Sequence, residues 1–424
     1  MPASGNSTLS GRVAFTYPAF TLYQTARFCI VLATEMQAVA IGWQVYEITK
    51  RPLDLGLVGL SQFLPGILLF LVSGYTADRF DRRRVLTLGY AGFAICSALL
   101  LVIAIRGGHN VYPIYAVTVL VGIVRSFNAP ASRAILPLIV PEEHFSNAFA
   151  WGATIMQAAT ILGPAVGGLI YATFRGPAGV YAGAMLTAAA AAVSMLGVKP
   201  QFRPRPREAF SWKTVLAGMH YIWHEKLVLG SISLDMFAVL LGGAVWLLPA
   251  FARDILRTGP WGLGLLRCAP AIGATAMALL LAYRPMRSRI GLKMLWCVAG
   301  FGVCTILFGI SHSLALSMIA LVLVGATDMV SVVVRGVLIQ LATPNEMRGR
   351  VNAVDMIFIG TSNELGGFES GATAAWLGVV PAVIVGGAGA IVVTALWAWM
   401  FPELRNADQL PSVESERKIP APLG

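Results

Sequence analysis

Apolar residues in this chain gather into long runs, separated by short gaps punctuated with Gly and Pro. A helix that crosses about 30 Å of hydrocarbon needs roughly 20 mostly apolar residues. Twelve runs reach that length: 24–46, 55–77, 85–105, 111–131, 148–174, 179–198, 227–250, 261–283, 294–311, 314–335, 352–377 and 382–401. Each is predicted as a membrane-spanning helix, and the chain as an all-α membrane protein. Two longer polar segments interrupt the pattern, 199–226 and 403–424. The first divides the spans into two sets of six. The second has the composition of a disordered tail. The predicted organisation is a six-helix bundle over 1–198, a linker over 199–226, a second six-helix bundle over 227–402 and a disordered tail over 403–424. Within the linker, the stretch from Trp212 to Trp223 reads equally as an interfacial amphipathic helix or as a solvated connection.

The two halves repeat. Pro141-Glu142-Glu143 matches Pro344-Asn345-Glu346, and Leu162-Gly163 with Gly168 matches Leu365-Gly366 with Gly371, both at an offset of 203. Asn147-Ala148 matches Asn352-Ala353 at 205, and Gly56-Leu57 matches Gly262-Leu263 at 206. One such match is weak, but a shared offset at four places is not. The two bundles are therefore predicted as a parallel, pseudo-symmetric pair. Transporters built this way put their substrate site between the halves.

Composition agrees. Only 12% of the 424 residues are charged, against about 25% in soluble domains, and mean hydropathy is +0.73. That excludes an ordinary soluble enzyme, a disordered chain and a disulfide scaffold. The 31 basic and 20 acidic residues leave a net charge of +11. In a soluble chain this would suggest nucleic acid; here it sets orientation. With the N-terminus inside, 21 of the 31 cations fall on inside segments and six on outside loops. Basic loops stay in the cytoplasm, so linker, tail and both termini are predicted to be cytoplasmic. Residues 1–19 show no apolar core followed by a cleavage site, so the first span is expected to insert the chain and remain. Cys29, Cys96, Cys268, Cys297 and Cys304 lie in apolar stretches without a CxxC pair and read as packing residues.

Charges within the spans are few, and a charge facing hydrocarbon costs several kcal/mol. Spans three, six, nine and twelve have none, as lipid-facing helices should. The exceptions are Arg27 and Glu35 in span one, Arg125 in four, Asp235 in seven, Arg267 in eight, Asp328 and Arg335 in ten, and Asp355, Glu364 and Glu369 in eleven. The repeat offset carries Arg125 onto Asp328. These opposite charges are expected to face each other across a central cavity, or each to pair locally with a polar neighbour. Buried carboxylates whose charged form is poorly solvated take up protons. Glu35, Gln37, Arg125, Asp235, Asp328, Glu364 and Glu369 are thus the candidates for a substrate or proton pathway; the alternative is structural acids satisfied by polar neighbours. Helical phase puts Asp355 and Glu369 on one face, with Glu364 about 140° from Glu369.

Motifs of soluble catalysis fail: there is no G-x-S-x-G, G-x-x-x-x-G-K-[ST] or H-E-x-x-H. His220 and His224 stand at i, i+4, a spacing that can chelate a metal on a helix, but they are read as a solvated linker pair. Neither catalytic residues, a metal nor a cofactor is expected.

The segment Gly74-Tyr75-Thr76-Ala77-Asp78-Arg79-Phe80-Asp81-Arg82-Arg83-Arg84 resembles the G-x-x-x-D-R-x-x-R-[RK] loop signature of the major facilitator superfamily. The resemblance implies that fold, with Gly74, Asp78 and Arg82 in a cytoplasmic gate and Arg133 as their partner. The second-half loop, Arg284 to Gly291, keeps the cations and loses both acids, so the gate is not carried there. The run from Glu35 to Thr49 is similar to the superfamily's enterobactin-exporter branch, which also holds macrolide-efflux-like members. So are Pro130-Ala131 with Leu136-Pro137, and Pro344 with Arg348-Gly349-Arg350-Val351-Asn352-Ala353. Gly163, Pro164, Gly167 and Gly168 resemble the span-five packing motif associated with antiporters.

The implied function is a secondary active exporter of an amphipathic small molecule, a siderophore or drug, driven by proton entry through alternating access. Importer or facilitator, and a non-transporting receptor or enzyme, are the alternatives. The expected partners are the small-molecule substrate, protons and the lipid bilayer, without nucleic acid. The chain is expected to act as a monomer in the bacterial inner membrane.

Overall fold

A computed structural model describes residues 10–107, 110–200, 202, 212–284, 286 and 288–407. Residues 201 and 203–211 of the basic linker and 408–424 of the tail lie outside the described residues, and with them most of the tail expected to be disordered. The chain forms two compact units.

The first unit comprises Met1–Phe210 and Leu248–Cys268. Its helices are α1 (Pro18–Thr49), α2 (Pro52–Leu68), α3 (Phe70–Arg79), α4 (Arg82–Ile105), α5 (Tyr112–Ala134), α6 (Phe145–Thr173) and α7 (Ala178–Leu196). Helix α1 packs on α6 and α7, and α4 on α5 and α7. Tyr115 at the start of α5 donates to Asp54 at the start of α2, 2.7 Å, while Tyr23 near the start of α1 bonds Ser132 near the end of α5. These contacts fix α1 and α5 as antiparallel. Span two is divided at Leu69, whose backbone is not helical, yet the ladder runs through it: Leu69 N–H donates to the Pro65 carbonyl at 2.9 Å and Ser73 N–H to that of Leu69 at 2.8 Å.

The second unit comprises Ser211–Leu247 and Ala269–Gly424. It holds α8 (Trp212–His224), α9 (Lys226–Leu241), most of α10 (Gly259–Tyr283), α11 (Ile290–Ile310), α12 (Leu314–Ala342), α13 (Asn345–Leu377) and α14 (Val379–Met400). Helix α11 packs on α12 and α14, and α9 on α13 and α14. The core here gathers Leu234, Met294, Val334 and Ala390. Helix α8 lies on α13, where Gly218 meets the backbone of Arg350. The linker stretch from Trp212 is thus a helix.

All twelve apolar runs are helical over most of their length. Ten described helices, several extended beyond these bounds, are long and apolar enough to cross a bilayer; α2 is shorter and α13 carries more charge. Span seven departs from expectation. The predicted continuous helix 227–250 ends at Leu241, followed by a 3-10 turn over Ala244–Leu247 and a π-turn over Phe251–Ile255. Gly242 and Gly243 stand at the break; Gly242 sits against the Phe301 ring, leaving no room for a side chain.

Spans three, six, nine and twelve each expose an apolar stripe at heptad spacing. It runs through Leu88, Ile95 and Val102 on α4, and Leu186 and Val193 on α7. On α11 it is Trp296, Val303 and Ile310, and on α14 Val385, Val392 and Trp399. Seven residues are close to two helical turns, so each stripe is one face, and hydrocarbon is the solvent that suits it.

Candidate functional site

In the second unit, three helices bring buried charges together. Asp328, Ser331 and Arg335 stand at i, i+3 and i+7 on α12 and so share a face. Arg335 forms an ion pair with Asp235 of α9 and lies 3.4 Å from Asp355 of α13. Ser331 donates to Asp235 at 3.2 Å. Asp328 is within electrostatic reach of both Asp235 and Arg335. Asp235, Arg335 and Asp355 are all under 9% exposed. Asp235, Asp328 and Ser331 line a small, partly open recess together with Thr327, Phe301, Val298, Val239 and Ala238. Three carboxylates thus share one guanidinium. In a low dielectric such an excess of like charge is costly, and uptake of a proton or a cation relieves it.

The cation that Asp328 was expected to need from the other half exists in its own unit as Arg335. Arg125 lies on α5 in the first unit, and its expected pairing with Asp328 remains a proposal. Glu364 is buried in α13, and Glu369, one face further round, accepts from Thr373 of its own helix at 2.7 Å.

Glu35 and Gln37 belong to α1. Gln37 accepts from Ser97 of α4 at 3.1 Å, and its Nε2 is buried without a partner. Glu35 lies where α6 crosses: a Cβ added at Gly163 would come 2.5 Å from Glu35 Cβ. Gly167 likewise faces Met36 of α1, whereas Gly168 faces Gly264 at the start of α10. The motif Gly163, Pro164, Gly167, Gly168 therefore serves two close crossings from one helix. Of the expected gate, Gly74 lies in α3, and Arg82 opens α4 and donates to the Ala134 carbonyl at the end of α5, 3.2 Å. The side chains of Asp78 and Arg133 lie outside the described residues.

Compared with known families, the sequence matches the transmembrane secretion effector family, a branch of the major facilitator superfamily, across residues 10–423. The chain belongs to that family.

Among its curated relatives are enterobactin exporters EntS of Escherichia coli strain K12 and of Shigella boydii serotype 4 strain Sb227. Each is 28% identical over 405 residues, spanning 93% of this chain and 95% of the relative. The nucleoside transporter NupG shares the fold with a TM-score of 0.69 at 13% identity, covering 90% of this chain and 99% of NupG. A bacterial homologue of the iron transporter ferroportin, inward-facing, gives 0.68 at 15% identity, covering 90% and 98%. The family and the fold are those of secondary transporters.

Joining Arg335, Asp355 and Ser331 to the candidates is the structure's addition. The signal was in the sequence: Arg335 falls two turns from Asp328. What the sequence withheld is that α9, remote in order from α12 and α13, meets them at this level.

Proposed function

We propose that this family member is a proton-coupled exporter of an amphipathic, siderophore-like small molecule. It works by alternating access as a monomer in the bacterial inner membrane, with both termini cytoplasmic. The observation that carries the coupling is the excess of carboxylate around Arg335. If Asp235, Asp328 and Asp355 were all ionised beside one guanidinium, two negative charges would stay uncompensated in a low dielectric. One proton held in the cluster relieves this, and Asp328, half-buried at the recess, is the group that exchanges it. Glu35, Gln37, Arg125, Glu364 and Glu369 belong to the same pathway, and Gly74, Asp78, Arg82 and Arg133 to the cytoplasmic gate. Export of a siderophore-like molecule is supported by the enterobactin exporters among the relatives.

The test is transport into everted vesicles under an imposed pH gradient. Asp328→Asn is expected to abolish gradient-driven accumulation while keeping the thermal stability of the parent protein. Accumulation at the parent rate in that variant would refute the assignment, and uptake confined to right-side-out vesicles would favour an importer.

A further inference from the structure

In the first unit a second polar site lies on α1, away from the carboxylates. Arg27 is a cation in a membrane-spanning helix, and its partner is the thioether of Met156 at 3.1 Å, a weak acceptor. Among the described residues no carboxylate pairs with it. Gln24, one turn away and 3% exposed, has a buried side-chain oxygen without a partner. The heads of both side chains converge on bare backbone of α6. A Cβ at Gly152 would sit 3.0 Å from Arg27 Nη1 and 3.1 Å from Gln24 Nε2.

The opposite wall follows from helix register. Antiparallel α1 and α5 are pinned where the Tyr23 hydroxyl meets Ser132, at 2.8 Å to its Oγ. One turn from the pin in each helix, on the same face, stand Arg27 and Asn128. Asn128 is 7% exposed, and both of its amide atoms are buried without partners, against Gly89 of α4. Tyr90 of α4 lies within electrostatic reach of Tyr23 and Arg27. One level of the unit thus holds a guanidinium, two amides with unmet hydrogen bonds and two phenols. Buried polar groups left unmet are costly, and a cation within a span marks a functional site.

We infer that Arg27, Gln24 and Asn128 form a subsite for an anionic oxygen of the substrate, as in a carboxylic acid. The guanidinium supplies charge and paired donors, and the amides satisfy the remaining oxygens. The subsite gives the substrate class for the export reading above and rests on it for its purpose, though not for its geometry.

The experiment is isothermal titration of the full chain in detergent with salicylate, without a pH gradient. Saturable binding is expected, with neutral salicylamide at least about tenfold weaker. Arg27→Gln should lose salicylate binding and Arg27→Lys keep part of it. Gly152→Val, which changes no charged residue but crowds the heads of Arg27 and Gln24, should weaken binding and serves if Arg27→Gln fails to fold. Equal binding of salicylate and salicylamide, no binding of either, or full binding by a folded Arg27→Gln would each overturn the subsite. Binding that follows this pattern supports it even if gradient-driven flux in vesicles proves absent, which would count against the export reading alone.

Discussion

Arg253 pairs with Glu47 at 3.5 Å, joining a segment that follows span seven to the end of α1, 206 residues earlier in the chain. The pair does not stand alone. Tyr46 donates to Asp254, Tyr171 donates to Glu47 at 3.2 Å, and the Arg253 guanidinium lies 5.8 Å from the Trp43 ring centre. This explains why Leu248–Cys268 belongs to the first compact unit although its flanking sequence belongs to the second.

The pair is partly exposed, so its removal should cost less than about 1 kcal/mol overall. Its local effect should be larger. Arg253→Ala combined with Tyr46→Phe is expected to raise amide hydrogen exchange over residues 248–258, with α14 unchanged. Unaltered exchange in that peptide would mean that apolar packing alone holds the segment.

The ion pair of Arg335 with Asp235 is of another kind, since both partners are buried. Removing only the cation strands Asp235 and Asp355. Arg335→Ala is expected to destabilise by about 3–5 kcal/mol. Replacing the pair together, Arg335→Gln with Asp235→Asn, should restore most of the melting temperature but not proton-driven transport. A single variant that melts with the parent protein would show that the cluster already holds its protons without help from the guanidinium.

How much of this was legible in the sequence follows from what each feature depends on. The helices were legible because bilayer thickness sets the length of every apolar run, and the lipid-facing set because a missing charge is local information. Asp235 and Asp328 could be singled out as charges in apolar runs for the same reason. Their union with Arg335 and Asp355 was not legible, because it depends on which helices touch. The break after Leu241 was hidden for a related reason: Gly242 is tolerated within a helix until the Phe301 ring occupies the space a side chain would need.

Tyr115 and Asp54 offer a neutral test of polar pairing in the first unit. Asp54 is 7% exposed and accepts from the Tyr115 hydroxyl, while its ion pair with Arg51 is long, at 3.9 Å. Tyr115→Phe leaves the carboxylate oxygen short of a donor and is expected to cost about 1–3 kcal/mol. Asp54→Asn keeps an acceptor facing the hydroxyl and should lose less. The melting temperatures of the two variants in detergent, compared side by side, check the order.

Gly168 makes the closest backbone approach of the span-five motif. A Cβ there would stand 2.7 Å from the Pro260 carbonyl oxygen and 2.9 Å from Gly264 Cα, both backbone atoms that cannot swing aside. Gly168→Val must push α6 from the start of α10, and overpacking of this kind costs about 1–3 kcal/mol. Gly360→Ala is the matched control, because nothing lies within 4 Å of a Cβ at that helical position and alanine is the better helix former. The expected result is a lower melting temperature for Gly168→Val and an equal or higher one for Gly360→Ala. If Gly168→Val melted with the parent protein, the crossing of α6 and α10 would be looser than the backbone contacts require, and the motif's third glycine would have no packing role.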